Sequence, residues 1–167
     1  MNAANMNMNM STSMRPAKRN ARRILIVDDH PIVRQGLRRL MENEDDLTVC
    51  GEAETARDAR IAIKDLNPDA VIVDISLKQG DGIELVRDVR AHHATLPLLV
   101  LSMHDEAIYA ERMLSAGASG YIMKQAASEQ FLISLRRVMD GGIHVSEAVG
   151  SNMIQKFASG GSYVSAN

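Results

Sequence analysis

Short apolar runs recur along the chain at Ile24–Val27, Leu47–Cys50, Val71–Val73, Leu98–Leu101 and Gly120–Met123. Runs such as ILIV, VIV and LLVL do not alternate with polar residues, as expected of strands buried on both faces beneath helices. The segments between them have helical spacing. Ile32, Val33, Leu37, Leu40 and Met41 fall on one stripe, and Phe131, Leu132, Leu135, Val138 and Met139 on another. Five strands interleaved with five helices predict a doubly wound α/β domain, three layers deep, over about residues 22–141.

Punctuation supports these boundaries. Asp29 or His30 can cap a helix whose first turn holds Pro31, where the missing N–H costs nothing. Asn67-Pro68 separates the second helix from the third strand, because the residue before proline disfavours helix. Gly117 sits where a helix terminus wants a left-handed residue, and Gly141-Gly142 ends the fifth helix. Beyond it, Ser146 can cap a short helix with Val149, Met153, Ile154 and Phe157 on one side, followed by a small, polar, frayed tail. Residues 142–167 are thus read as a linker with a short helix.

Composition narrows the picture. The chain has 167 residues, enough for one domain with a real core and a flexible extension. A single cysteine, Cys50, excludes a disulfide framework and fits a reducing cytoplasm. No apolar run approaches the length of a membrane span. Residues 1–23 carry Arg15, Lys18, Arg19, Arg22 and Arg23 and no acid, while the rest of the chain has 14 basic against 21 acidic residues. Residues 1–21 therefore read as a disordered basic leader, and the acidic body argues against a broad nucleic-acid surface.

In an open α/β sheet, ligands bind beyond the carboxyl ends of the strands. Asp28 and Asp29 follow the first strand, Asp74 the third, Ser102 the fourth and Lys124 the fifth. Glu52 ends the second strand, which the flavodoxin-like order 2-1-3-4-5 would put at the sheet edge. Singly, each has an ordinary explanation as a helix cap, a turn residue or a solvated lysine. Together they differ, because three carboxylates at neighbouring strand tips repel one another unless something positive sits among them. A hard divalent cation such as Mg²⁺ fits, since it takes one or two carboxylates plus phosphate oxygens and water. An amine and a hydroxyl beside it supply the donors that a phosphoryl group needs.

The strings RILIVDDHPIVRQGLRRLM, DAVIVDISLKQGDGIEL, LLVLSMHD and SAGASGYIMK together resemble the receiver domain of bacterial response regulators. The opening DDHPIVRQGL and the terminal GGIHVS resemble the NarL/FixJ subfamily, whose output is LuxR-type, and the likeness covers residues 22–146. The resemblance implies that Asp74 accepts a phosphoryl group from a sensor histidine kinase. It implies that Asp28, Asp29, Asp74 and the backbone carbonyl of Ser76 bind Mg²⁺. By the same likeness Lys124 contacts the phosphoryl group, Ser102 is the switch hydroxyl, and Tyr121 turns inward on activation. Ser76 and His104 would border the phosphoryl group and set its lifetime. Gln125 replaces the proline that often follows the lysine with a cis peptide, which leaves the shape of that loop open.

His30, His92, His93, His104 and His144 have no metal-ligand spacing, Arg34, Arg38 and Arg39 read as a polar helix face, and Met103, Met113, Met123 and Met139 as core filler. The subfamily usually continues into a helix-turn-helix, yet 26 residues follow Gly141 and none resembles one. The expectation is a portion of a transcriptional regulator that does not itself bind DNA specifically, can pair as a homodimer once phosphorylated, and avoids membranes. Two other readings stand beside it. One is a stand-alone receiver acting by protein–protein contact. The other is a haloacid-dehalogenase-type phosphohydrolase, which wants a second acid where Ser76 stands.

Overall fold

Each apolar run of the sequence is a strand in the computed structural model, which describes residues 20–160. In chain order the elements are β1 (Arg22–Val27), α1 (Pro31–Glu42), β2 (Leu47–Ala53), α2 (Ala56–Leu66), β3 (Ala70–Val73), α3 (Gly82–His92), β4 (Leu98–Ser102), α4 (Glu106–Ala116), β5 (Gly120–Met123), α5 (Ser128–Met139) and α6 (Glu147–Ala158). The leader, apart from its last two residues, and the end of the tail lie outside the described residues.

The sheet is parallel and ordered β2-β1-β3-β4-β5, the flavodoxin-like arrangement expected. Because side chains alternate along a strand, the uninterrupted apolar runs serve two cores. Leu25, Val27, Val71, Val73, Leu98 and Val100 face α2, α3 and α4, where Ala59, Ile63, Val86, Val89 and Met113 complete the packing. Ile24, Ile26, Ile72, Leu99 and Leu101 face α1 and α5, against Leu37, Met41, Phe131, Leu135 and Val138.

Local chemistry ends the elements where the sequence suggests. Asn67 is the left-handed C-cap of α2, and Gly117, at φ 113°, is that of α4. Thr55, Asp81 and Asp105 cap α2, α3 and α4 by accepting backbone N–H bonds. At Gly82 a Cβ would sit 2.4 Å from Ile75 Cα and 2.7 Å from Asp74 O, so only glycine lets α3 start against the loop after β3.

Several expectations are corrected. Ile32 lies off the α1 stripe and is 78% exposed, because it is turned about 140° around the helix from the buried Leu37 and about 180° from Met41. Met103 is also exposed, projecting from the β4–α4 loop instead of filling the core. On α6, Val149 is buried and Met153 packs beside it, whereas Ile154 and Phe157 point to solvent. Position 153 lies four residues from Val149, one turn along the same face, and position 154 is turned about 140° away from Val149; Phe157, a turn beyond Met153, is exposed at the end of the helix.

The chain leaving α5 adds a further pairing at the sheet edge. His144 bridges Gly120, its N–H donates to Ser119 O at 3.0 Å, and its carbonyl accepts from Tyr121 N at 2.8 Å. Glu106 then accepts from Ser146 N, and Lys156 pairs with Glu111, which fixes α6 against α4.

Candidate phosphoacceptor site

The sheet order places β1 and β3 side by side, with Val27 opposite Val73. The residues that follow, Asp28 and Asp74, therefore emerge together beyond the strand tips. Both are almost completely buried, 2% and 1% exposed. Asp74 Oδ1 accepts from Ser76 N at 2.9 Å, and Asp29 Oδ2 accepts from Lys78 N at 3.1 Å. Lys124, at the tip of β5, reaches across to both acids, with Nζ 2.6 Å from Asp28 Oδ2 and 2.9 Å from Asp74 Oδ2. Burial alone would lower the Lys124 ammonium, but its bonds to Asp28 and Asp74 and their charges outweigh it and hold its pKa above the ordinary lysine value.

Asp28, Asp29, Asp74 and also His30 offer ligand atoms that all lie within 4.8 Å of one another. Asp28 Oδ2 lies 2.6 Å from the Lys124 ammonium and Asp29 Oδ1 2.9 Å from His30 Nδ1, and each carboxylate oxygen keeps a lone pair beyond that contact. Buried carboxylate oxygens with capacity left over are what a cation would satisfy, so the donor set fits a hard divalent ion.

Sequence reasoning passed over two residues here. His30 is the N-cap residue of α1 but makes no side-chain cap bond. Its ring turns into the acids instead, with Nδ1 3.0 Å from Asp28 Oδ1 and 2.9 Å from Asp29 Oδ1. Arg34 is not on a polar face. It is buried, and donates from NH1 to Asp28 O at 2.7 Å, from Nε to Glu52 at 3.0 Å and from NH2 to Glu54 at 2.6 Å. It thereby ties the β1–α1 loop to β2, and Glu52 stands apart from the acid cluster as expected. The signal that could have exposed Arg34 is its place one turn after His30, facing the same loop.

A second chain of contacts adjoins the acids. Ser102 is fully buried, and its Oγ accepts from His104 N at 3.0 Å while its carbonyl accepts from Lys124 N at 2.8 Å. Tyr121 is also fully buried, ring inward, and its hydroxyl donates to His104 O at 2.9 Å. Burial pushes the phenol upward, with Ser102 offsetting part of that. Ser76 Oγ lies 2.7 Å from His104 Nε2, and the His104 ring packs on Tyr109 with centroids 4.8 Å apart. No peptide bond among the described residues is cis, so the Lys124–Gln125 loop is trans throughout.

The fold and the clustered acids define a signalling receiver domain, and comparison with known proteins agrees. Residues 24–136 match the family model for the response regulator receiver domain. The chain belongs to that family of phosphoacceptor signalling domains. It is 30% identical over 138 residues to the transcriptional regulatory protein DegU of Brevibacillus brevis, an alignment covering 83% of this chain and 58% of DegU. A LuxR-family two-component response regulator from Aurantimonas sp. SI85-9A1 superposes with TM-score 0.75 at 31% identity, over 83% of this chain and 99% of that one. The isolated receiver of RcsB from Salmonella enterica serovar Typhimurium, solved with the phosphomimetic BeF3⁻, gives TM-score 0.70 at 29% identity, over 79% and 98% of the two chains. RcsB has also been solved as two dimers bound to two parallel DNAs, with TM-score 0.71 and 27% identity over 84% and 78%. The chain spans about three-fifths of the length of the curated relatives it matches. Among the described residues, no helix is long and apolar enough to cross a membrane.

Proposed function

We propose that Asp74 is the phosphoacceptor of a two-component pathway, taking its phosphoryl group from a phosphohistidine on a sensor kinase. The observation that carries this reading is the short double contact of Lys124 Nζ with Asp74 and Asp28, beside buried carboxylate oxygens with unused accepting capacity. Asp28, Asp29, Asp74 and the Ser76 carbonyl would hold Mg²⁺, which when bound neutralises charge on the phosphoryl oxygens. Asp74 Oδ2 attacks phosphorus, the phosphorus–nitrogen bond to the donor imidazole breaks, and an acyl phosphate forms. Lys124 exchanges its contact with the carboxylate for one with a phosphoryl oxygen. Ser76 N, bonded to Asp74 Oδ1, keeps the other carboxylate oxygen in place.

Ser76 and His104 are joined by a hydrogen bond, so we read them as a paired rim that governs how water reaches the acyl phosphate. Ser102 and Tyr121 both bond to the backbone of His104, which makes that residue the link between the site and the α4–β5 surface. A phosphoryl group that draws Ser102 away from His104 N biases this link, and the bias equals its differential affinity for the two arrangements.

For the whole protein, the likeness to DegU supports transcriptional output, the likeness to RcsB supports pairing as a dimer, and membership of the receiver family supports action in the cytoplasm. Asp74→Asn should abolish labelling by a small phosphodonor such as acetyl phosphate with Mg²⁺, read by phosphate-affinity electrophoresis or intact mass. Undiminished labelling would remove Asp74 from the mechanism.

A further inference from the structure

Arg34 meets the acid cluster at its backbone, where NH1 donates to Asp28 O at 2.7 Å. That oxygen belongs to the planar peptide unit joining Asp28 to Asp29, so holding it fixes the direction in which both Cα atoms project their carboxylates. The other side of Asp28 is held too, since its N–H donates to Ala53 O, at the end of β2, at 3.1 Å. Arg34 is itself oriented from that strand. Its Nε donates to Glu52 Oε2 at 3.0 Å and its NH2 to Glu54 Oε1 at 2.6 Å, acids two residues apart that face the same way. Three nitrogens of one planar guanidinium thus meet three acceptors, and the side chain is only 10% exposed. A guanidinium fork is pre-organised for this and an ammonium is not.

Arg38, one turn further along α1, supplies the contrast. It donates twice to Glu52 Oε1, at 2.9 and 2.6 Å, and ties α1 to β2 without reaching the β1–α1 loop. Pairs of that kind are enough to join helix to strand. The bond from Arg34 NH1 adds something else, a hold on the peptide from which two carboxylates of the site project.

We propose that Arg34 is a positioning residue of the phosphoacceptor site: seated on Glu52 and Glu54, it holds the Asp28–Asp29 peptide so that both carboxylates converge with Asp74. The inference rests on the phosphoacceptor reading and deepens it by naming what sets the geometry of the acids. A peptide left free to rock would misplace both carboxylates together, which weakens the grip on a divalent ion while leaving the nucleophile where it is.

The test compares the full chain with Arg34→Lys, which keeps the charge but loses the fork, and with Arg38→Gln, which loosens the α1–β2 tie alone. Calorimetric titration gives the Mg²⁺ affinity of each, and acetyl phosphate labelling at saturating Mg²⁺ gives the limiting rate. Arg34→Lys is expected to weaken Mg²⁺ binding roughly tenfold, with a limiting rate within about threefold of wild type. Arg38→Gln, whatever it costs in stability, should keep the Mg²⁺ affinity within about twofold. Glu54→Ala, at a side chain 61% exposed, unseats the fork from the outside and should weaken Mg²⁺ about threefold, which carries the test where Arg34→Lys does not fold. An unchanged affinity in Arg34→Lys, or in Glu54→Ala where the first variant does not fold, would overturn the assignment. So would an equal loss in Arg38→Gln, or a limiting rate that falls as steeply as the affinity. A chain that acetyl phosphate does not label, yet loses Mg²⁺ affinity in Arg34→Lys, refutes only the phosphoacceptor reading. Labelling with an unaltered Mg²⁺ affinity in that variant refutes only the role of Arg34, and a wild type without Mg²⁺ affinity refutes both.

Discussion

Asp29 illustrates how, on the proposed function, a single residue would serve function against stability. Its carboxylate lies within 4.8 Å of the donor atoms of Asp28, His30 and Asp74, and Lys124 makes its close contacts with the other two acids. Without a cation, the third negative charge repels its neighbours, so Asp29→Asn should stabilise the chain. A gain of about 1 kcal/mol corresponds to about 3 °C in the thermal midpoint for a domain of this size. Calorimetric melts in chelator would show the rise, and a lower midpoint would contradict the repulsion argument. Asp28, Asp29, Asp74 and Lys124 were legible in the sequence because strand ends can be read from apolar runs, and the sheet order then brings those ends together. Arg34 and His30 were not. Arg34 sits in a position that helical spacing assigns to a polar face, and its burial depends on Glu52 and Glu54, 18 and 20 residues away. His30 meets acids one and two residues before it, which requires a loop conformation that no periodicity encodes.

At the level of elements, the edge of β5 shows what periodicity does and does not reveal. Both cores were readable, since uninterrupted apolar strands need cover on two faces. The pairing of His144 with Gly120 was not, because a single bridge leaves no repeating pattern. His144 Nδ1 is buried without a hydrogen-bond partner. Burial pushes its pKa below the ordinary histidine value, Arg137 adds to this, and Glu106 opposes it. The unfolded chain thus takes up the proton first on acidification. The contribution of His144 to stability is whole above about pH 6.5 and drains away as the pH falls toward the depressed folded value. Exchange of the Tyr121 amide, which donates to His144 O, should accelerate below that pH beyond its intrinsic acid dependence. His144→Gln should remove the extra acceleration, and identical profiles for the two chains would exclude His144 as its source.

For the molecule as a whole, a cation that binds only the folded chain stabilises it by mass action, about 1.4 kcal/mol at ten times its dissociation constant. Mg²⁺ should therefore raise the thermal midpoint of the wild type by several degrees, and leave Asp74→Asn with a markedly smaller rise. An equal rise in both would locate the ion elsewhere. Two cores sharing one sheet make such a local event global, because the strands that carry Asp28 and Asp74 are also the floor on which α1 to α5 rest.

The docking of α6 on α4 gives that event a lever. The helix is pinned to α4 near one end by Glu106 and near the other by Lys156, so it must ride with α4 as a single boom. Its 12 residues span about 18 Å. A tilt of only about 5° about the Ser146 end would swing its tip through roughly 1.6 Å. The direction in which α6 ends is thereby set by the position of α4.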